Sequence, residues 1–233
     1  MTAPTATVFS TLVQRLLTVY GRPDWRPTGD PIGVLVQTIL SQHTSDHNSA
    51  RAYAALRTAY PTWEAVLAAP VDDLAAVIRC SGLGRVKARR IQAALAAIRA
   101  RFGRLSLDQL ADWPLAQARS ALESLPGVGP KTAACVLLFA LGRPAFPIDT
   151  HIHRVLQRLG IIGPGVPAEA AHRQVEPLVP PDLAYALHVL LIRHGRRICR
   201  AGRPRCHLCP LTDLCAAYQT GAVGAAPAQA SPS

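Results

Sequence analysis

Apolar residues recur along most of the chain with the spacing of amphipathic helices. Ile32, Leu35, Val36, Ile39 and Leu40 occupy positions i, i+3, i+4, i+7 and i+8 of one such stripe. Stripes of similar period begin at Val71, Ile91, Leu115, Val136, Ile152 and Leu183. No comparable run alternates with the period of two that is typical of a β-strand. The pattern therefore predicts an all-α protein of about ten short helices.

Glycine and proline mark the turns between these helices, most densely over residues 126–130, 142–147 and 160–167. The two chain ends differ from the rest in composition. Residues 1–7 and 219–233 are rich in small residues and poor in bulky apolar ones. Both ends are therefore predicted to be disordered.

The charge balance indicates the class of partner. Among 233 residues, 49% are apolar, and 25 Lys and Arg stand against 14 Asp and Glu, a formal net charge of +11. Such a globular protein suits a polyanion, and nucleic acid is favoured because no segment resembles an interfacial membrane helix. The chain start lacks signal-peptide features, and the longest apolar run, residues 133–141, is about half of what spans a bilayer. We therefore expect a cytoplasmic, nucleoid-associated protein without membrane contact.

Lysine is scarce among the basic residues. Only Lys87 and Lys131 are lysines, and the other 23 basic residues are arginines. A lysine amine can lose its proton and attack carbon, whereas an arginine stays protonated. The bias makes Lys131 a candidate nucleophile, although two lysines could also have survived by chance.

The segment Leu125-Pro-Gly-Val-Gly-Pro-Lys-Thr-Ala133 surrounds that lysine. Gly127 and Gly129 can adopt positive φ and bring backbone N–H groups close to an anion. Pro130 suits the first position of a helix, which places Lys131 at the positive end of the helix dipole, where loss of its proton is favoured. The alternative is a simple helix entry with a solvated lysine.

A carboxylate follows eighteen residues later, in Ile148-Asp-Thr-His-Ile-His-Arg-Val155. Asp149 or Thr150 could cap the next helix. A carboxylate at such a turn could also take a proton from a lysine or stabilise a developing cation on a sugar. Asp149 is therefore a candidate partner of Lys131.

Four cysteines within 17 residues form a C-x6-C-x2-C-x5-C run: Cys199, Cys206, Cys209 and Cys215. Zinc ribbons usually pair two short knuckles across a longer spacer, whereas one compact loop suits a [4Fe–4S] cluster with one cysteine on each iron. A zinc site that uses His207, or a disulfide pair, is the alternative. Cys80 and Cys135 lie in apolar helical patterns and are expected to be buried.

The spacer between the first two cysteines carries Arg200, Arg203 and Arg205. Three arginines on a loop pinned by a metal cluster could clamp DNA phosphates. The alternative is a solvated basic loop.

Together, the Gly-Val-Gly-Pro-Lys turn, the Asp-Thr-His segment and the cysteine run resemble the endonuclease III family of helix-hairpin-helix DNA glycosylases. The resemblance covers residues 8–218. It implies a two-lobed all-α fold with a six-helix domain at 30–141 and a [4Fe–4S] cluster domain formed by 8–29 and 142–218.

The resemblance also implies an activity on double-stranded DNA that contains a damaged base or an abasic site. Lys131 would attack C1′ of the flipped nucleotide and expel the base, with Asp149 as its carboxylate partner. The resulting imine would lead to β-elimination of the 3′ phosphate. The family default is an oxidised pyrimidine, and the protein is expected to act as a monomer.

Other positions match the family's DNA contacts. Gln42 would fill the gap left by the extruded base, Leu83 would wedge into the opposite strand, and Lys87 would lie near phosphate. His151, in the Asp-Thr-His segment, is assigned to DNA in the same way. This chain departs from the family in having Pro130 where many relatives have a basic residue, and in a Ser-Gln-His-Thr-Ser-Asp loop around Gln42.

Two further hypotheses remain at this point. One is a non-catalytic DNA-binding or redox protein that uses the same hairpin and cluster, which the pairing of Lys131 with Asp149 disfavours. The other is a glycosylase for a different lesion, such as a mismatched or purine base. The adenine-excising branch of the family lacks the lysine.

Overall fold

A computed structural model describes residues 3–224, with side chains from residue 7 onward. These residues form helices and contain no β-strand, which confirms the all-α prediction. The α-helices are α1 Ala3–Tyr20, α2 Pro31–Ser41, α3 Asp46–Ala59, α4 Trp63–Ala68, α5 Val71–Val77, α6 Gly84–Phe102, α7 Leu115–Glu123, α8 Pro130–Cys135, α9 Thr150–Leu159, α10 Ala168–Val175, α11 Ala184–Arg197 and α12 Ala216–Gln219.

Shorter helical segments complete the fold. One π-helical turn, Val136–Ala140, continues α8. Single 3-10 turns occupy Arg79–Ser81, Asp108–Ala111, Glu176–Leu178, Pro181–Leu183, Cys206–Leu208 and Thr212–Leu214. The chain divides into two compact units, Arg26–Arg143 and a second that joins Met1–Trp25 to Pro144–Ser233.

The unit Arg26–Arg143 is built around α2. Eight of its eleven residues are buried, including the predicted stripe that contains Leu35 and Ile39. This helix packs against α3, α6 and α8. Its start is fixed by Asp30, whose Oδ1 accepts a hydrogen bond of 2.8 Å from the Gly33 N–H. A helix that is apolar on nearly all sides is stable only in such a central position.

The other unit has its core along α11, which packs against α1 and against α9. Phe9, Leu12 and Leu16 of α1 are fully buried, as are Leu187 and Leu190 of α11. The helical period of these residues places them on the inner face of each helix. The helix α9, which carries Asp149 at its start, packs against α10, α11 and α12.

The chain ends differ in part from the prediction of disorder. The helix α1 already begins at Ala3. Pro4 falls in its first turn, where the missing N–H has no helical partner to lose, and the following residues contain no helix breaker. At the other end, Gln219 closes α12 and residues 220–224 form turns. Residues 1, 2 and 225–233 lie outside the described part of the chain.

In the part of the chain that the structure describes, no single helix is long and apolar enough to cross a bilayer. Two consecutive helical segments, Ala168–Leu178 and Pro181–Arg197, reach the length and apolar composition of a span only when they are counted together, and the chain bends by 119° between them.

Shortening a core side chain of α2 should destabilise the protein. We expect Leu35→Ala to lower the free energy of unfolding by about 2–5 kcal/mol, because the core cannot fully close the cavity that is left. Gln37→Ala, on the exposed face of the same helix, is the matched control and should change it by less than about 0.5 kcal/mol. Urea titrations followed by circular dichroism measure both values. Equal effects of the two substitutions would contradict the central role of α2.

Candidate functional site

The helix-hairpin-helix segment consists of α7, a turn and α8. Leu125 and Val128 are buried and anchor this turn, while its two glycines lie exposed. Gly127 has φ +77°, a left-handed conformation that favours glycine. Gly129 has φ −99°, so of the two glycines predicted to adopt positive φ only Gly127 does so. A Cβ atom at Gly129 would meet no protein atom within 4 Å, which leaves its backbone open to an outside group.

Lys131 lies in the first turn of α8, after Pro130 at the first helical position, as predicted. Its side chain is half-buried. No hydrogen bond or ion pair holds its amine within residues 26–143. The amine is therefore available to an external electrophile.

Asp149 belongs to the other unit and caps α9, as predicted. Its Oδ1 accepts a hydrogen bond of 2.8 Å from the Ile152 N–H. Two buried histidines hold the backbone just before it. His188 Nδ1 lies 2.8 Å from the Pro147 carbonyl oxygen, and the Ile148 N–H donates to His172 Nε2 at 3.3 Å. The sequence gives no signal for these two histidines, which come from α10 and α11.

Gln42 follows α2 directly and begins the Gln42 loop, residues 42–45. The side chain is half-buried, and its Oε1 accepts a hydrogen bond of 2.9 Å from Arg90 Nη1 of α6. The next residue, His43, has φ +52°, a left-handed conformation that residues other than glycine rarely adopt. The loop is therefore held in shape rather than free.

Leu83 occupies the Leu83 turn, residues 82–83, which precedes α6. Its side chain is 61% exposed, the highest value among the large apolar residues that the structure describes, and its φ is +51°. A bulky residue in this conformation costs free energy. Gly84 comes next, and a Cβ atom there would lie 2.8 Å from the Ala75 carbonyl oxygen. Close packing against α5 thus explains this glycine.

The buried position of Lys87 disagrees with the prediction that this residue contacts a phosphate. Its side chain is only 2% exposed. The Nζ atom donates hydrogen bonds to the carbonyl oxygens of Leu40 at 2.7 Å and Ser81 at 2.6 Å. Burial, together with the charge of Arg90, lowers the pKa of this lysine. An ammonium enclosed in this way is not placed to meet a phosphate.

The remaining predicted DNA contacts lie in the unit that carries Asp149. Arg200, Arg203 and Arg205 are exposed, and His151 is half-buried with its Nδ1 3.1 Å from Arg154 Nη2. The arginine loop is fastened to α9 by Arg158, whose guanidinium donates to the carbonyl oxygens of Arg200 at 2.7 Å and Ala201 at 3.0 Å.

Arg154 and Arg158 bind the cysteine loop, a contact that the sequence did not reveal. Arg154 Nε donates to the Cys199 carbonyl oxygen at 2.9 Å, and Arg158 Nη1 lies 3.2 Å from Cys199 Sγ. Their spacing of four residues puts both on one face of α9. That spacing was visible in the sequence, but the hydrogen bonds from these arginines to the cysteine loop were not.

The four cysteines of the run line one small cavity. Arg158 and Tyr218 also line it. No three His, Cys, Asp or Glu side chains within residues 3–224 converge closely enough to hold a single metal ion. The thiols therefore share a space without meeting at a point.

These thiols oppose one another's ionisation. Burial, with the charges of the three other cysteines, raises the pKa of Cys209 to about 11. Burial and the charges of Cys199 and Cys215 raise the pKa of Cys206 in the same way. Several thiolates so close together need a cationic group among them. Cys80 is half-buried and Cys135 is buried, outside this cavity.

Comparison with known proteins gives the family. Residues 36–181 match the family described as HhH-GPD superfamily base excision DNA repair protein. The chain is 35% identical over 190 residues to endonuclease III of Thermotoga maritima, which covers 82% of this chain and 84% of that protein. This chain is also 36% identical over 162 residues to a DNA glycosylase homologue of Arabidopsis thaliana. The match covers 70% of this chain but only 55% of the length of that protein.

A solved structure agrees with this result. The fold is similar to that of a trapped covalent intermediate of endonuclease III with DNA, with a TM-score of 0.79. Sequence identity is 28%, and the similarity covers 93% of this chain and 98% of that one. The chain therefore belongs to the endonuclease III family within the HhH-GPD superfamily, whose members are DNA glycosylases of base excision repair.

Proposed function

We propose that this protein is a bifunctional DNA glycosylase and abasic-site lyase that removes damaged pyrimidines from double-stranded DNA. It acts as a monomer on nucleoid DNA, to which its net charge of +11 attracts it. The proposal rests mainly on Lys131, which follows an exposed glycine turn. Its side chain is half-buried, and its amine has no partner in residues 26–143.

The reaction needs a nucleophile that can lose a proton, and Lys131 is that nucleophile. Its amine attacks C1′ of the flipped nucleotide, the bond from C1′ to the base breaks, and the base leaves with a proton. Ring opening gives an imine between Nζ and C1′. Loss of a proton from C2′ then expels the 3′ phosphate by β-elimination, and water hydrolyses the imine to free the lysine.

Asp149 is the carboxylate of this reaction. Its Oδ1 is occupied by the cap of α9. Oδ2 has no hydrogen-bond partner within residues 144–224. The capping bond fixes the carboxylate, while Oδ2 is available to accept a proton or to stabilise positive charge on the sugar.

The DNA contacts divide into strand-separating and phosphate-binding residues. Gln42 fills the space of the extruded base, and Leu83 enters the opposite strand as an exposed apolar wedge. The backbone N–H groups around Gly127 and Gly129, with His151 and the exposed arginines 200, 203 and 205, bind phosphate.

The cysteine cavity suits a [4Fe–4S] cluster better than a zinc ion. Zinc ribbons usually pair two short knuckles across a longer spacer, whereas these four cysteines lie in one compact loop. Cys199, Cys206, Cys209 and Cys215 border a common space, as one cysteine for each iron requires. When bound, the cluster supplies iron–thiolate bonds that hold the arginine loop in place.

Trapping with borohydride tests the nucleophile. Reduction of the imine should join wild-type protein covalently to duplex DNA that contains an abasic site. Lys131→Ala should abolish the adduct, and Lys131→Arg should abolish it too although the charge is kept. Denaturing electrophoresis measures the product. An adduct of wild-type yield with either variant would refute the assignment of Lys131.

A panel of duplexes tests the substrate. Each duplex carries one defined lesion, including thymine glycol, a G·T mismatch and an oxidised purine. We expect the fastest base release from the oxidised pyrimidine in single-turnover assays. Faster release from the mismatch or the purine would support the alternative lesion classes, and no release from any duplex would refute the enzyme.

Metal analysis tests the cluster. The purified wild-type protein should be yellow-brown and contain about four irons per chain. Cys209→Ser should lose most of this iron, whereas Cys80→Ser should keep it because Cys80 does not line the cavity. A colourless wild-type protein that contains zinc would contradict the cluster.

A further inference from the structure

The buried lysine has a role that the proposed reaction does not use. No carboxylate forms an ion pair with Lys87 in the described residues, and its partners are the two carbonyl oxygens alone. Leu40 lies in the last turn of α2, and Ser81 ends the 3-10 turn Arg79–Ser81. Both carbonyls are thus at helix ends, where no intrahelical donor satisfies them and the helix dipole favours a cation.

Each of these helix ends leads directly into one of the two loops assigned to strand separation. Leu40 lies two residues before Gln42, and Ser81 lies two residues before Leu83. The two loops also contain the only non-glycine residues with positive φ in the described chain, His43 at +52° and Leu83 at +51°. Strained backbone persists only where its surroundings hold it. One ammonium bonds to the backbone three residues before His43 and two residues before Leu83.

The helix α6, which carries this lysine, approaches the same surface through a second residue, Arg90. Arg90, one turn after Lys87, hydrogen bonds to Gln42 Oε1 at 2.9 Å. Its side-chain carbons would lie 3.5 Å from a Cβ atom at Gly127 in the hairpin turn. One rigid helix therefore supports the Gln42 loop, the Leu83 turn and the hairpin turn.

The geometry also explains why this position holds a lysine in a chain that otherwise uses arginine. Two oxygens lie within 2.7 Å of one nitrogen atom. A compact ammonium with three donors satisfies both from a single point, whereas a planar guanidinium spreads its donors and needs more space.

We infer that Lys87 is a positioning residue for base extrusion, which fixes the Gln42 loop and the Leu83 turn relative to each other so that both enter the duplex together. This inference rests on the proposed function. It predicts that loss of Lys87 affects base release and cleavage of an abasic site to different extents. Extrusion of a paired base depends on both loops acting together, whereas cleavage at an existing abasic site has no base to extrude.

The test compares Lys87→Met, Lys87→Arg and the control Arg99→Met, which removes one charge from the exposed face of the same helix. Single-turnover base release from a lesion duplex should fall by about ten- to a hundredfold in both Lys87 variants. Cleavage of a duplex with a preformed abasic site should change much less. Arg99→Met should behave like the wild type in both assays. Equal losses in the two assays, or no loss of base release, would overturn the inference.

A double-mutant cycle separates positioning from general stability. In a Gln42→Ala, Leu83→Ala background, Lys87→Met should cause little further loss of base release, because it acts through those two side chains. A full additional loss would indicate a merely structural role. If Lys87→Met does not fold, Lys87→Gln, whose amide reaches one carbonyl, is compared in the same cycle with the same two outcomes. Wild-type protein that releases no base would refute the proposed function instead.

Discussion

One buried ammonium holds together the surface of residues 26–143 that we assign to DNA. Burying a charge without a carboxylate partner is unfavourable unless strong hydrogen bonds replace its hydration. Lys87 meets this condition through two carbonyl oxygens at helix ends, 2.7 and 2.6 Å away. The same two bonds fix the backbone before Gln42 and before Leu83. The two hydrogen bonds that stabilise the buried charge therefore also fix the shape of this surface.

The second unit uses a comparable device with arginine. Arg154 and Arg158 of α9 bind the backbone at Cys199, Arg200 and Ala201. The same helix is capped by Asp149 at its start. A single helix thus links the carboxylate to the cysteine loop. Here the oxygens are spread along a loop, which suits the forked guanidinium, whereas the oxygens around Lys87 converge on one point.

Much of the site was predictable because it depends on local sequence. The spacing of apolar residues predicts α2, and the Gly-Pro-Lys and Asp-Thr-His segments predict the starts of α8 and α9. These features depend on residues within one or two turns. The assignment of Leu83 as a wedge came only from the family resemblance.

The residues that the sequence did not explain act over long sequence distances. Lys87 binds Leu40, 47 residues away, and His172 meets Ile148 across 24. One signal for Lys87 was present, since it lies four residues before Ile91 and so continues the buried stripe of α6. A basic residue in phase with an apolar stripe indicates burial, but Lys87 was assigned to phosphate from the family resemblance.

The two lysines differ in environment, since Lys87 is enclosed and Lys131 is half-buried without a partner in residues 26–143, and we assign them different tasks. Protein labelled with 15N only at lysine Nζ offers the most direct measurement, because the chain contains two lysines and gives two ammonium signals. One signal should exchange slowly with water, as expected for Lys87, and the other rapidly. Only the rapidly exchanging one should become a secondary amine after borohydride reduction with abasic DNA. Two rapidly exchanging signals, or conversion of the protected one, would contradict the account.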